Sequence, residues 1–370
     1  MDNKAMWNLE LFDPESDDPD ELLSLFYTEY GQVDPANEKY YRWYCLENPD
    51  GKAIIQIARD PFTNQIVGQD WVIPHRCNVA GKIYTGGIRV NAIVHPGYRQ
   101  RGVMSAILAQ PNKALIKKGI DFLIGLPNER SIHVAQSLEL FKVGHQAFLI
   151  KPLNLDIAGL TPLKKFPAVE KFIFRWMLRI WPFIFRTRKR QEYAPKLRIE
   201  PIFQFNLSFD DFWERVKNKY PILYRRNRAY LDWRFVQHPT RTYYKLAAWQ
   251  GDILVGYIVC RAARYRQISA GFVVDFLVEP SQLGEEAGNA LVSTAIDYFQ
   301  SNPSGMLVAM SQPNSQEGCI LKHHGFASIP RRYQPIPSVL YRRLLSDELP
   351  KNLLDDIQNW FLQLGDFDYI

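Results

Sequence analysis

Ile88-Arg89-Val90-Asn91-Ala92-Ile93-Val94-His95-Pro96-Gly97-Tyr98-Arg99-Gln100-Arg101-Gly102-Val103-Met104 runs from an apolar, strand-like segment through a tight basic turn into a helix-like run, Met104–Ala109. A strand, a basic loop and a helix start in that order make an anion site. The unpaired backbone N–H groups of the first helical turn face the loop, and the helix dipole adds positive potential. Gly102 has no Cβ, so a phosphate can approach its backbone. The competing reading is an ordinary loop between strand and helix.

Composition narrows the class. The chain has 370 residues, 46% hydrophobic and 23% charged, which suits a globular protein with a large core and a prior of two domains. Cys45, Cys77, Cys260 and Cys319 are far apart with no CxxC spacing, so neither a zinc site nor a disulfide framework is expected. The acidic start has no basic segment leading into an apolar run, and no apolar stretch reaches the ~20 residues of a membrane span. These features point to a cytoplasmic protein. The net charge of +6 is concentrated: residues 161–199 hold eleven Lys or Arg against two Glu, a balance of +9, so the rest sums to −3. A nucleic-acid binder spreads basic charge over its folded surface, so that partner is not expected.

The chain repeats itself. Tyr40-Tyr41-Arg42-Trp43 returns as Tyr230-Leu231-Asp232-Trp233, and six residues after each Trp comes a Pro, Pro49 and Pro239. Val94-His95-Pro96 matches Val278-Glu279-Pro280, Pro127-Asn128 matches Pro313-Asn314, and Phe141–Gly144 matches Lys322–Phe326. The offset drifts only between 181 and 190 residues, which indicates two copies of one domain. Pattern and turn chemistry predict, for the first copy, helices at 20–30 and 38–47 and strands at 52–59, 66–79 and 83–94. A helix at 103–118, a strand at 121–125, a helix at 129–142 and a strand at 146–150 follow. Pro111 is expected to kink the helix at 103–118. The boundaries expected are 1–150 for the first domain, 151–198 for a linker, 199–345 for the second domain and 346–370 for a C-terminal helix and tail.

This order, with V-x-P-x-Y-R-x-x-G between strand and helix, resembles the GNAT acyltransferase superfamily, which moves acyl groups from coenzyme A to amines. The resemblance implies an α+β fold of two GNAT-like domains, each a mixed, mainly antiparallel sheet flanked by helices. It implies that Arg99, Gln100, Arg101, Gly102, Val103 and Met104 form a pyrophosphate loop. Met104 departs from the family pattern, which has Gly or Ala there. The second copy reads Ser281-Gln282-Leu283-Gly284-Glu285-Glu286 at this place, and its two carboxylates repel a pyrophosphate. The first copy is therefore expected to bind acyl-CoA. Tandem members such as N-myristoyltransferase are similar in having one active copy.

The resemblance further implies that the backbones of Ala92, Ile93 and Val94 meet the pantetheine arm and polarise the thioester carbonyl. Asn128 matches a position that contacts the CoA arm, and it is equally a helix N-cap. The tyrosine that protonates the leaving thiolate in the family is replaced by Leu140 in the first copy and Leu321 in the second. Candidates for removing the acceptor's proton are His133, His95 and Asp275, the last inside an apolar strand where burial raises its pKa. A structural role competes for each.

The segment 171–190 is aromatic and basic. If helical, Arg175, Arg179, Arg186 and Arg190 share a face, while Phe172, Trp176, Trp181 and Phe183 offer an acyl-chain or membrane-surface contact. Pro182 favours two short helices, and a buried bridge between the copies is the bland alternative. Taken together, the sequence predicts an acyl-CoA-dependent N-acyltransferase. Its donor is acetyl-CoA or a longer, even fatty, acyl-CoA, and its acceptor is the amine of a small molecule or peptide. A non-catalytic acyl-CoA- or peptide-binding module and a peripheral membrane adaptor are the other readings. No metal is expected.

Overall fold

A computed structural model of the chain describes residues 7–110, 112–127, 132–133, 140–153, 197–265, 268–302, 304–330, 334 and 338–368. The first half opens with β1 (Asn8–Phe12), α1 (Asp20–Tyr30) and α2 (Glu38–Tyr41), the last running on into a π-helical turn at Arg42–Leu46. Asn37 caps α2, its side chain accepting from the backbone of Lys39 and Tyr40. Next come β2 (Ile54–Arg59), β3 (Ile66–Val79) and β4 (Lys82–Val94). Apart from Arg76, β3 is buried along its whole length, because core side chains cover both of its faces. Ala80 and Gly81 join β3 to β4 with φ of 50° and 89°. Two positive φ values match the twist of a two-residue hairpin.

The expected helix at 103–118 is two helices, α3 (Val103–Leu108) and α4 (Lys113–Lys117), with Pro111 in the sequence between them. A proline in a helix interior lacks the donor that would continue it. β5 (Phe122–Gly125), β6 (Phe141–His145) and β7 (Phe148–Pro152) complete the half. The helix expected to end at 142 is thus already a strand at Phe141, where the chain meets an open strand edge.

The second half repeats the plan. It contains β8 (Leu197–Pro201), α5 (Leu207–Val216), β9 (Ile222–Tyr224), α6 (Arg228–Phe235), β10 (Tyr244–Gln250), β11 (Ile253–Tyr265) and β12 (Ile268–Val278). After it come α7 (Gln282–Ser301), β13 (Met306–Met310), α8 (Gln316–His323), β14 (Ala327–Ser328), β15 (Val339–Leu344) and β16 (Trp360–Phe361).

These strands form two sheets. The first runs β1-β2-β3-β4-β5-β15-β6, with β9 on the far end of β3 and β16 beside β9. The second runs β14-β7-β13-β12-β11-β10-β8. Both are antiparallel except for a parallel pair in the middle, β4 with β5 and β12 with β13, and the short parallel pair of β16 with β9 in the first. Each half lends the other a strand. β15 enters the first sheet between β5 and β6, and β7 enters the second between β13 and β14. A cut at residue 150 therefore divides the sequence but not the sheets. The true counterpart of β14 is β6, so matching Phe141–Gly144 to the helix end at Lys322–Phe326 pairs a strand with a helix.

The repeats meet at their matching residues. Trp43 and Trp233 stack with ring centroids 4.8 Å apart and 18° between planes. Each indole N–H donates to the other's carbonyl, Trp43 Nε1 to Trp233 O at 2.9 Å and Trp233 Nε1 to Trp43 O at 3.0 Å. Both rings are buried, so every polar atom of the pair needs a partner, and each repeat supplies the other's. One hydrophobic cluster contains Trp43, Trp71, Trp233 and Trp360, and so runs through both halves.

Candidate functional site

β4 and β5 pair only as far as Ile88 and Ile124. β5 ends at Gly125 while β4 continues to Val94, so the two strands part and leave a cleft. The register between β3 and β4 also shifts, from Trp71↔Val90 to Gln69↔Ile93. The extra residue makes a bulge, with Asn91 at a φ of 55°. Asparagine tolerates this left-handed conformation better than the β-branched residues around it. Between the parted strands lies a cavity of about 340 Å³, within the range of ligand sites. Arg89 to Ile93 form one wall and Leu123 to Pro127 the other. Phe26 and Tyr30 of α1 and Tyr341, Arg342 and Arg343 of β15 also line it. Ala92 and Ile93 thus line the cavity, and Val94 follows them, paired with Gly68 of β3.

The basic loop adjoins this cleft through α3. His95 starts the turn, its Nδ1 accepting from Gly97 N at 3.2 Å. That bond gives His95 a structural place at the strand end. Gln100 and Gly102 have φ of 60° and 77°, and Gly102 is the N-cap of α3. Arg99, Gln100, Arg101 and Gly102 are exposed, Met104 is half-buried and Val103 is buried. Arg101 lies over the Tyr98 ring at 5.5 Å, while Arg99 is ion-paired with Glu29 of α1. α3 lies so close to β3 that a Cβ on Gly68 would stand 2.6 Å from Val103 Cγ1. Six residues on from Gly102, Leu108 reaches the cavity wall, roughly 9 Å along the helix axis.

Asp70 of β3 is the ionisable group that sequence reasoning missed here. It is completely buried and lines the cavity. Its Oδ2 accepts from Arg89 Nη1 at 2.9 Å, whereas Oδ1 has no partner. Burial pushes its pKa up to about 6, against the pull of Arg89. A lone carboxylate in a long apolar strand was the available signal, the same one that singled out Asp275. Arg342 is held by Asp355 and lies 4.4 Å over the Phe141 ring.

Asp275 is not at this cavity. It accepts from Tyr257 Oη at 2.8 Å and from Arg226 Nε at 3.3 Å, and Arg226 binds both oxygens of Asp366 at 2.8 Å. All four side chains are buried, so this is a paired core network in the second half. His133 is exposed and does not line the cavity. Leu140 does line it. Its equivalence to the family's tyrosine lapses, because Gly144, which anchors the match, lies in β6 and not at a helix end. Asn128 and the linker residues Phe172, Trp176, Trp181 and Phe183 lie outside the described residues.

The equivalent end of β12 is filled by the protein itself. Val278 N donates to Glu317 Oε1 at 3.4 Å, and Tyr220 Oη donates to Glu317 Oε1 at 2.7 Å. The C-terminal segment also closes in, since a Cβ on Gly365 would stand 3.2 Å from Val274 O. A Cβ on Gly284 would fall 1.8 Å from Glu279 O. That turn has no space for a phosphate. Among the described residues no group of three His, Cys, Asp or Glu is placed to hold a metal ion, and no helix is long and apolar enough to cross a membrane.

Residues 13–136 match the acetyltransferase (GNAT) domain family. Comparison with curated proteins finds no match. Among solved structures, the chain is similar to a GCN5-related N-acetyltransferase from Anabaena variabilis, with a TM-score of 0.62 and 14% identity over 91% of this chain and 73% of that one. It is similar to a protein of unknown function from Enterococcus faecalis described as a probable N-acyltransferase, with a TM-score of 0.60 and 12% identity over 92% and 73%. It is also similar to Saccharomyces cerevisiae N-myristoyltransferase with bound myristoyl-CoA, with a TM-score of 0.55 and 13% identity over 93% and 81%. The parted parallel strands, the bulge beside them and the loop entering α3 all lie within the stretch 13–136 that matches the GNAT domain family, and the chain as a whole has the two-sheet fold of these structures, two GNAT-like folds in tandem.

Proposed function

We propose that the protein transfers an acyl group from coenzyme A to an amine, with the reaction centred in the cleft between β4 and β5. The observation that carries this reading is the parting of β4 from β5 after Ile88 and Ile124, beside the bulge at Asn91. Backbone groups freed there can pair with the amides of a pantetheine arm. A backbone N–H aimed at the developing thioester oxyanion is worth a few kcal/mol, typically ~3. The loop Arg99–Met104 takes the pyrophosphate, with Arg101 and the first N–H groups of α3 as its ligands. Arg99 joins them only by leaving Glu29. The second half, whose matching cleft is filled, contributes β15 to the wall of the acceptor chamber.

The amine attacks the thioester carbonyl carbon directly, since holding both reactants in one cleft supplies much of the rate. The CoA thiolate is a fair leaving group without a dedicated acid, because a thiol pKa lies near 8.5. The acyl group is acetyl or longer. The long-chain version rests on the aromatic segment 171–190. Incubation with acetyl-, octanoyl- and palmitoyl-CoA and a panel of amines, with free CoA followed by thiol reagent, tests the reading. CoA release that depends on the amine is expected. Tight CoA binding without release would instead favour a binding module.

A further inference from the structure

Attack on a thioester needs a neutral amine, and most amines are protonated near neutral pH. A proton acceptor must therefore serve the cleft. Among the described residues that line the cavity, Asp70 is the one carboxylate, and there is no histidine. The positive groups facing the chamber are Arg89 on β4 and Arg342 and Arg343 on β15, and Tyr30 on α1 and Tyr341 on β15 also line it. Glu29, the nearby carboxylate of α1, is taken by Arg99. Gln56 of β2 stands opposite Asp70 and carries no charge.

Asp70 is also correctly placed. It lies across from the bulge, between the register pairs Gln69↔Ile93 and Trp71↔Val90. This is where the thioester carbonyl sits in the reading above, on which the present inference rests. Arg89 fixes one carboxylate oxygen and leaves Oδ1 without a partner in a buried position. A buried acceptor atom with nothing to accept is costly, and proteins keep such atoms where a function uses them.

We propose that Asp70, oriented by Arg89, is the proton acceptor for the attacking amine. Asp70 lines the cavity but is out of contact with solvent, so the proposed relay needs one water admitted beside Oδ1 when the substrates open the cleft. The ammonium loses a proton to Oδ1 through that water. The freed lone pair forms the C–N bond as the carbonyl π pair moves to oxygen. When that pair returns, the C–S bond breaks and the sulfur takes the electrons. The second proton of the attacking nitrogen goes to the thiolate, giving amide and CoA thiol. Asp70 then returns its proton to solvent. Its raised pKa, about 6, makes it a better base than an ordinary carboxylate while it is still ionised at neutral pH.

The test is the pH profile of kcat/KM for acetyl-CoA with whichever of glycine, spermidine, glucosamine or a short peptide turns over. The wild type should gain activity as pH rises through an acid limb near 6. Asp70→Asn should lose that limb and fall about 10²- to 10⁴-fold in kcat, with acetyl-CoA KM and calorimetric CoA binding within about threefold. Arg89→Met removes the charge that holds the pKa down, so the limb should move up by at least ~1 pH unit, and Arg89→Lys should restore it. Retained CoA binding verifies that each variant is folded. An unmoved limb in Arg89→Met, or a wild-type profile with no acid limb, overturns the role of Asp70 and leaves the acyltransferase reading standing. No amine-dependent CoA release by the wild type overturns both.

Discussion

Two glycines at matching turns of the repeats, Gly102 and Gly284, behave in opposite ways. Gly102 caps α3 at a φ of 77°, with nothing within 4 Å of where a Cβ would be. A side chain there meets open space on the inside but strains the backbone and projects over the helix start. Gly102→Val should cost ~1–2 kcal/mol in folding and abolish CoA binding in calorimetry. Gly284 stands at the matching turn of the second half but cannot serve as a neutral control, because a Cβ would collide with Glu279 O at 1.8 Å. Gly284→Ala should lower the denaturation midpoint sharply and leave CoA affinity unchanged in the folded fraction. Equal loss of CoA affinity in both variants would put the phosphate site in the wrong half.

The residues also show what sequence patterns carry and what they omit. The loop was readable because Gly102, Arg99 and Pro96 have backbone or charge properties that stand out locally. Asp70 lies within the expected strand 66–79 beside the polar Gln69, and a strand pattern alone does not tell a buried acid from one on a solvent-facing side. Only the covering of β3 on both faces makes it a buried acid. Asp275 carried the same signal and turned out to be paired with Arg226. A buried carboxylate is thus visible in sequence, while its partner, across the chain, is not.

At the scale of elements, β3, the β3–β4 hairpin and α1 followed their patterns, because long apolar runs and an Ala-Gly turn leave little choice. β6 did not, since short apolar segments near a sheet edge take whatever conformation the edge rewards. The filled end of β12 gives a test at this scale. Glu317, at the start of α8, is completely buried against β12 and Tyr220, and burial pushes its pKa up to about 7 from 4.5. The folded state then holds a proton that the unfolded state has released between those values. Its contribution to stability is present below pH 4.5 and is lost as pH rises to 7, on the order of 3 kcal/mol. Glu317→Gln keeps the shape without the charge. Urea midpoints at pH 5 and pH 8 should differ between the two proteins, the variant gaining on the wild type at pH 8. A constant difference would show that Glu317 ionises in the fold at its ordinary pH.

At the scale of the molecule, the exchange of β7 and β15 makes two repeats into one cooperative body. Each sheet lacks an interior strand without the other half, and the paired indoles of Trp43 and Trp233 satisfy each other's donors. Residues 1–196 and 197–370 expressed apart should each be poorly soluble, and coexpression should recover a stoichiometric complex. Independent, monomeric folding of either piece, seen as sharp thermal transitions in isolation, would mean the lent strands are dispensable. None of this exchange could be read from sequence, since Val339–Leu344 and Phe148–Pro152 look like ordinary terminal strands of their own copies.

The lent strand β15 also sets a clock on biosynthesis. β6 ends at His145 and β15 at Leu344, so the nascent first sheet waits for roughly 200 further residues before its gap is filled. At the usual pace of translation that is roughly 10 to 40 seconds. Throughout that interval the edges of β5 and β6 offer unpaired backbone to any passing strand. The emerging chain therefore exposes bare strand edges long before its first sheet is closed.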